Sequence, residues 1–131
     1  MYRLVIVLIC LVLLSACSAG TQANEEPEDY MSVTISPSQA RAWMEIYSNA
    51  VVLDVRTADE FATGHIRNAI NLPVDEIASQ ARYVLPDTDA LILVYCRSGV
   101  RSLNAVWALI DMGYTRVYDF GGIIDWPYGT I

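Results

Sequence analysis

Leu91-Ile92-Leu93-Val94-Tyr95-Cys96-Arg97-Ser98-Gly99-Val100-Arg101-Ser102 is the stretch that decides the fold. The run from Leu91 to Tyr95 has no polar interruption, which predicts a strand covered on both faces, as in a parallel sheet. Beyond the loop, Leu103, Val106, Trp107 and Ile110 recur at i, i+3, i+4 and i+7, which predicts a helix burying that stripe and ending at Gly113. Cys96 therefore stands on a strand-to-helix turn. Successive amides from Arg97 to Arg101 can curl into an anion-holding concavity there. The helix would aim its positive end at the sulfur. Gly99 would relieve an unusual backbone angle, and Arg97 and Arg101 add positive charge.

The same alternation extends both ways. Val33-Thr34-Ile35 is a short strand candidate. Ser36 as N-cap, Pro37 at the first helical position and Gln39 predict a helix running to about Ser48. Val51 to Val55 predicts a buried strand, and Asp59 to about Thr63 a short helical segment stopped by Gly64. Ala69 to Leu72 is a further strand, and Val74 to about Val84 a helix before Pro86. Arg116 to Phe120 is the last strand, and Gly121-Gly122 turns into a short helix. Strands alternating with helices predict an α/β domain with a mostly parallel central sheet and helices on both faces. Sites in such sheets form beyond the carboxyl ends of the strands, where Cys96, Asp54 and Arg56 fall.

The chain has 131 residues, room for one ordinary domain. Its net charge is −7 and every basic residue is arginine, a poor balance for nucleic-acid binding. Residues 1–16 read as an export leader: Arg3 is a thin positive region, and Leu4 to Leu14 is apolar but short for a bilayer span. Leu14-Ser15-Ala16-Cys17 resembles the lipobox of bacterial lipoproteins. That resemblance implies cleavage before Cys17, acylation of its thiol, and membrane anchoring through several acyl chains. An ordinary signal peptide or an uncleaved anchor is the alternative. In enteric-type bacteria Ser18, with no aspartate after the cysteine, resembles the pattern sorted to the outer membrane. Residues 17–32, with Glu25, Glu26, Pro27, Glu28 and Asp29, read as a flexible acidic tether. Residues 33–131 are expected to form the domain, on the periplasmic side of the envelope.

With Cys10 lost in the leader and Cys17 acylated, Cys96 is left as the free thiol, with no partner for a disulfide. A buried core cysteine is the plain alternative. A free thiol of pKa about 8.5 supplies only a small thiolate fraction at neutral pH. The loop's amides and positive charges would lower that value without a histidine, metal or organic cofactor.

Asp54-Val55-Arg56, Glu60-Phe61, Gly64-His65-Ile66, Ala69-Ile70-Asn71-Leu72-Pro73, the Cys96 loop, and Gly121-Gly122 with Trp126 resemble, in order and separation, a rhodanese domain. The likeness spans roughly residues 33–129. It implies the three-layer rhodanese-like fold and a sulfurtransferase. Such an enzyme moves a sulfane sulfur from a donor such as thiosulfate to an acceptor thiol or cyanide through a cysteine persulfide. By resemblance Cys96 is the nucleophile, and Arg97, Ser98, Gly99, Val100 and Arg101 form the substrate-binding loop. Phosphatases and arsenate reductases of similar fold place five residues between Cys and Arg. Here there are four, which suits one sulfur atom better than a tetrahedral oxyanion. Asn68 stands where the family commonly has a second glycine, and asparagine tolerates left-handed angles better than most residues.

Other residues have plainer readings. His65 is expected to bond backbone in a turn rather than to serve Cys96. One histidine and one free cysteine are too few for a zinc site. Arg56 is expected to pair with Glu60, and Asp54 to hold a neighbouring loop. Trp107 is expected in the core, Trp43 and Tyr47 on the buried face of the first helix, and Trp126 and Tyr128 in packing roles. Ser102 is a secondary candidate for capping or for bonding the loop. Besides an enzyme, a rhodanese-fold sulfur carrier or binding module at the envelope fits the same residues. A thiol-redox protein fits less well, since no Cys-x-x-Cys or resolving cysteine is present.

Overall fold

The computed structural model describes residues 32–131. The predicted leader, Cys17 and all but the last residue of the predicted tether lie outside the described residues. Among the described residues, no helix is long and apolar enough to cross a membrane.

Among the described residues, four parallel strands form one sheet in the order β2-β1-β3-β4. They are β1 (Val51–Asp54), β2 (Ile70–Asn71), β3 (Ile92–Cys96) and β4 (Val117–Gly122). The helices are α1 (Pro37–Ile46), α2 (Ala58–Ala62), α3 (Ile77–Val84) and α4 (Val100–Asp111). The predicted strand at residues 33–35 is reduced to a single parallel bridge, Thr34 with Asp119. The predicted helix from Val74 begins instead as a 3-10 turn, Val74–Glu76.

Strand side chains alternate between two cores, which is why Val51 to Leu53 of β1 and Ile92 to Val94 of β3 are apolar without interruption. Leu53, Ile92, Val94 and Cys96 join Ile77, Ala81, Ala105, Val106 and Leu109 of α3 and α4. Val52, Leu93 and Tyr95 point the other way, into a cluster with Ala40, Phe120 and Trp126 that Trp43 and Met44 of α1 cover. The sheet thus lies between two helical layers.

Two expectations about aromatic residues change. Trp107 is 47% exposed rather than core. The buried stripe of α4 is Ser102, Ala105, Val106 and Leu109, not the larger residues beside it. Trp107, one position past Val106, is rotated about 100° from it towards solvent. Tyr47 is likewise 41% exposed. It follows α1 as an extended residue rather than continuing the helix. Its ring meets Arg116, whose guanidinium carbon lies 5.9 Å from the ring centroid.

The chain runs from β1 outward to β2, then back past β1 to β3. The order reverses between β1 and β3, where ligand crevices form in open parallel sheets. Asp54 and Cys96 end those two strands. Between β3 and β4 the register slips: Val94 pairs with Asp119, but Cys96 pairs with Gly122. This bulge brings the β4 backbone against the Cys96 loop.

Candidate active site

Cys96 is the last residue of β3, and Gly99 is the N-cap of α4. Gly99 has φ 103°, an angle that strains any residue with a Cβ, so glycine lets the loop close in three residues. The reward is contact: the Gly99 N–H donates to Cys96 Sγ at 3.0 Å. Gly122 supports the loop from below. A Cβ there would fall on the Arg97 carbonyl oxygen and within 2.7 Å of Ser98 Cα. The Ile124 N–H donates to that same Arg97 oxygen at 3.3 Å.

Ser102 comes into direct contact with the thiol. It is wholly buried, and its Oγ lies 3.4 Å from Cys96 Sγ. The Ser102 hydroxyl also reaches the carbonyls of Gly99 at 3.1 Å and Gly121 at 3.4 Å. A hydroxyl has one proton. With a thiol present, S–H donates to Ser102 and Ser102 donates to a carbonyl. With a thiolate, the hydroxyl turns and donates to sulfur.

Burial is the largest influence on the Cys96 thiol and pushes its pKa up. The Ser102 hydroxyl and the amides of Ser102, Gly99 and Ser98 together outweigh it, and the pKa falls below the ordinary thiol value. The residue is 1% exposed, at the floor of a loop whose Arg97, Ser98 and Val100 are exposed.

Ser102→Ala is expected to raise the Cys96 pKa and to slow its alkylation at neutral pH by about tenfold, the worth of one hydrogen bond to a charged group. The deficit should shrink at high pH, where both proteins are ionised. A rate–pH profile with iodoacetamide checks this, and a uniform loss at every pH would make the hydroxyl merely structural.

The two loop arginines are placed differently. Arg97 follows Cys96 in the chain and is exposed. Arg101 turns to α2, where its NH1 and NH2 donate to Glu60 at 2.7 and 2.8 Å. Glu60 also accepts from the Thr57 backbone and hydroxyl, and the Glu60 amide donates to Thr57, closing a capping box around the start of α2. Arg101, first of these partners in effect, helps hold the Glu60 carboxyl down at about 2.

Glu60 does not pair with Arg56, as the sequence had suggested. Arg56 instead grips Asp54, two residues back, through Nε at 3.0 Å to both carboxylate oxygens and NH2 at 2.6 Å. Both are buried, so the charges neutralise each other where water cannot. Arg56 NH2 also donates to Gly64 O at 2.7 Å, and the Asn71 amide donates to the carbonyls of Asp54 and Arg56. Asp54 thus holds the neighbouring loops through Arg56, and Glu60 is left for Arg101.

The Arg101–Glu60 pair has a testable pH signature. Because the folded Glu60 pKa is depressed, its contribution is complete above about 4.5 and is lost as pH falls towards about 2. With side chains 34% and 31% exposed, solvent screening holds the pair to about 1 kcal/mol. Arg101→Ala is expected to lower stability by about 1 kcal/mol at pH 7 in urea melts. That difference should close below pH 4.5.

His65 bonds backbone, as expected. Its Nδ1–H donates to Phe61 O at 3.0 Å, and the ring stacks on Phe61 at 3.8 Å. Asn68 takes the left-handed angle, φ 66°. Trp126 packs on Phe120, and Tyr128 meets Trp126 edge-on, so both have packing contacts. Sequence reasoning gave Ser102 too little weight and missed the Glu60–Arg101 link. Thr57-x-x-Glu60 was a readable capping signal. Nothing local pointed from Glu60 to Arg101, 41 residues away.

Known proteins share this framework. The thiosulfate sulfurtransferase PspE of Escherichia coli is 36% identical over 73 residues, covering 56% of this chain and 70% of that protein. A sulfurtransferase of Allochromatium vinosum is 39% identical over 79 residues, covering 60% and 72%. Among solved structures, the human single-domain sulfurtransferase TSTD1 superposes with a TM-score of 0.64 at 28% identity, covering 72% of this chain and 95% of that one. The rhodanese-like domain family matches residues 36–127, and the chain belongs to that family.

Proposed function

We propose that the protein is a sulfurtransferase that carries sulfane sulfur on Cys96. The observation that carries this reading is the contact set of one thiol: an amide at 3.0 Å, a buried hydroxyl at 3.4 Å, and a pKa lowered despite burial. The Cys96 thiolate attacks the outer sulfur of thiosulfate. A sulfur–sulfur bond forms at Cys96, the donor's own breaks, and sulfite leaves with its electron pair. An acceptor thiolate or cyanide then attacks the outer sulfur of the persulfide and returns Cys96 as thiolate. Sulfur moves without net oxidation, so no metal or organic cofactor is needed. Two displacements on one cysteine give ping-pong kinetics.

In this reading Arg97, exposed beside the loop, draws in the anionic donor, and the amides of Ser98 to Arg101 hold the sulfur. Arg101, tied to Glu60, sets the loop's shape. Cleavage of residues 1–16 and acylation of Cys17 would anchor the domain to the bacterial envelope on the periplasmic side, at the outer membrane where sorting follows Ser18. The 1% exposure of Cys96 favours a second reading, a sulfur carrier that discharges only to a docked protein thiol.

Intact mass after incubation with thiosulfate separates the two. A gain of one sulfur on the Cys96 peptide, discharged by cyanide over many cycles, is the enzyme's result. A persistent adduct that only a protein thiol removes is the carrier's. No adduct under either condition contradicts both. Metabolic labelling with a palmitate analogue, compared between the chain and its Cys17→Ser variant, tests the anchor.

A further inference from the structure

A cavity of about 350 Å³ lies between α1, the turn after Gly64 and the segment from Trp126 to Ile131. No residue from Cys96 to Ser102 lines it. Its volume is that of sites enclosing small organic molecules. The lining joins two chemistries: Met44, Trp126 and Tyr128 are apolar, whereas Arg41, Arg67 and Asn68 offer hydrogen-bond donors.

The arginines are not equivalent. Arg41 Nε donates to Glu45 at 2.7 Å, and its guanidinium carbon lies 5.6 Å from the Tyr128 ring centroid. Arg67 has no carboxylate within ion-pair distance among the described residues. Arg41 pairs with Glu45, the side-chain carboxylate of the lining, which leaves the Arg67 guanidinium to meet an anion. Asn68 sits at φ 66°, where glycine would be unstrained, and its presence adds an amide to the lining.

The frame is preformed. Trp126 Nε1–H donates to Gly129 O at 3.2 Å, and His65 and Ile131 exchange both backbone hydrogen bonds at 2.9 Å. These bonds fix the closing segment against the turn that bears Arg67 and Asn68.

We infer that this cavity binds a small organic anion, an aryl or alkyl carboxylate or sulfonate. Its acidic group meets Arg67 and Asn68, and its apolar body lies against Met44, Trp126 and Tyr128. A planar guanidinium beside an amide suits an acceptor-only group. The aromatic walls supply the area that a bare inorganic anion could not use.

The protein contains three tryptophans, so three indole N–H resonances report separately on Trp43, Trp107 and Trp126. Titrating the full ¹⁵N-labelled chain with naphthalene-2-sulfonate is expected to shift the Trp126 resonance saturably and leave the other two in place. Arg67→Gln, at an exposed position, should weaken binding about tenfold, as should replacing the probe by uncharged naphthalene-2-methanol. Cys96→Ser should bind as the parent does, which keeps this site separate from sulfur chemistry. A flat Trp126 response, all three indoles moving together, equal affinity in Arg67→Gln, or loss of binding in Cys96→Ser would each overturn the inference.

Discussion

Cys96→Ser is expected to abolish sulfur transfer, with kcat/KM for thiosulfate and cyanide falling by at least ~10³-fold, as when a covalent nucleophile is removed. The serine hydroxyl can accept from the Gly99 N–H and approach Ser102 much as sulfur does, so the loop has no reason to unfold. What is lost is chemistry. The surroundings that make a thiolate accessible leave an alkoxide out of reach, and oxygen forms no persulfide. Stability should change by no more than about 1 kcal/mol, so the loss belongs to the reaction. Paired assays of steady-state turnover and urea unfolding check it. Retention of more than trace turnover would remove Cys96 from the mechanism.

The second large effect is expected at Gly122, which never touches the thiol. An added methyl collides with the Arg97 carbonyl oxygen and Ser98 Cα. Both are backbone atoms, so no side chain can swing aside. Either β4 or the loop must move, and the Ile124 hydrogen bond to Arg97 O ties those two segments together. Gly122→Ala is therefore expected to cost about 3 kcal/mol, the upper range for overpacking a filled site. Displacing the amides around Cys96 should also lower activity by ~10²-fold in whatever fraction stays folded. Activity measured at full folding, verified by circular dichroism, separates the two effects. Gly113→Ala is the control: a Cβ there meets nothing within 4 Å, although its φ of 97° carries its own strain. It should lower stability without a comparable loss of turnover per folded molecule.

The sheet was legible because both faces of β1 and β3 are covered, which makes Val51 to Leu53 and Ile92 to Val94 unbroken apolar runs. The strand-to-helix turn at Cys96 was equally plain, since Gly99 and the following helix pattern leave few other conformations. On α4 Val106 was read correctly and Trp107 was not, because size was taken as the sign of burial. Near the loop the helix approaches the sheet closely, so Ser102 and Ala105 go inside and Trp107 goes out. For the same reason Ser102 was underrated: a serine one position into a stripe looks like a polar edge until the thiol is placed beneath it. The arginine partners were exchanged because spacing along the chain favoured Arg56 with Glu60. The end of β1 instead turns Arg56 back onto Asp54, and the fold brings Arg101 to Glu60. Gly121-Gly122 could be seen in the sequence as a turn, but not as the floor of the loop. That role depends on the register slip between β3 and β4.

The relation between the Cys96 loop and its thiol underlies each of these expectations. It is tested most directly by the pH dependence of iodoacetamide alkylation at the Cys96 peptide of the folded protein. Complete reaction is expected without unfolding, with an inflection below that of an ordinary thiol. An inflection at or above that value, or a cysteine that reacts only once the protein is denatured, would contradict it.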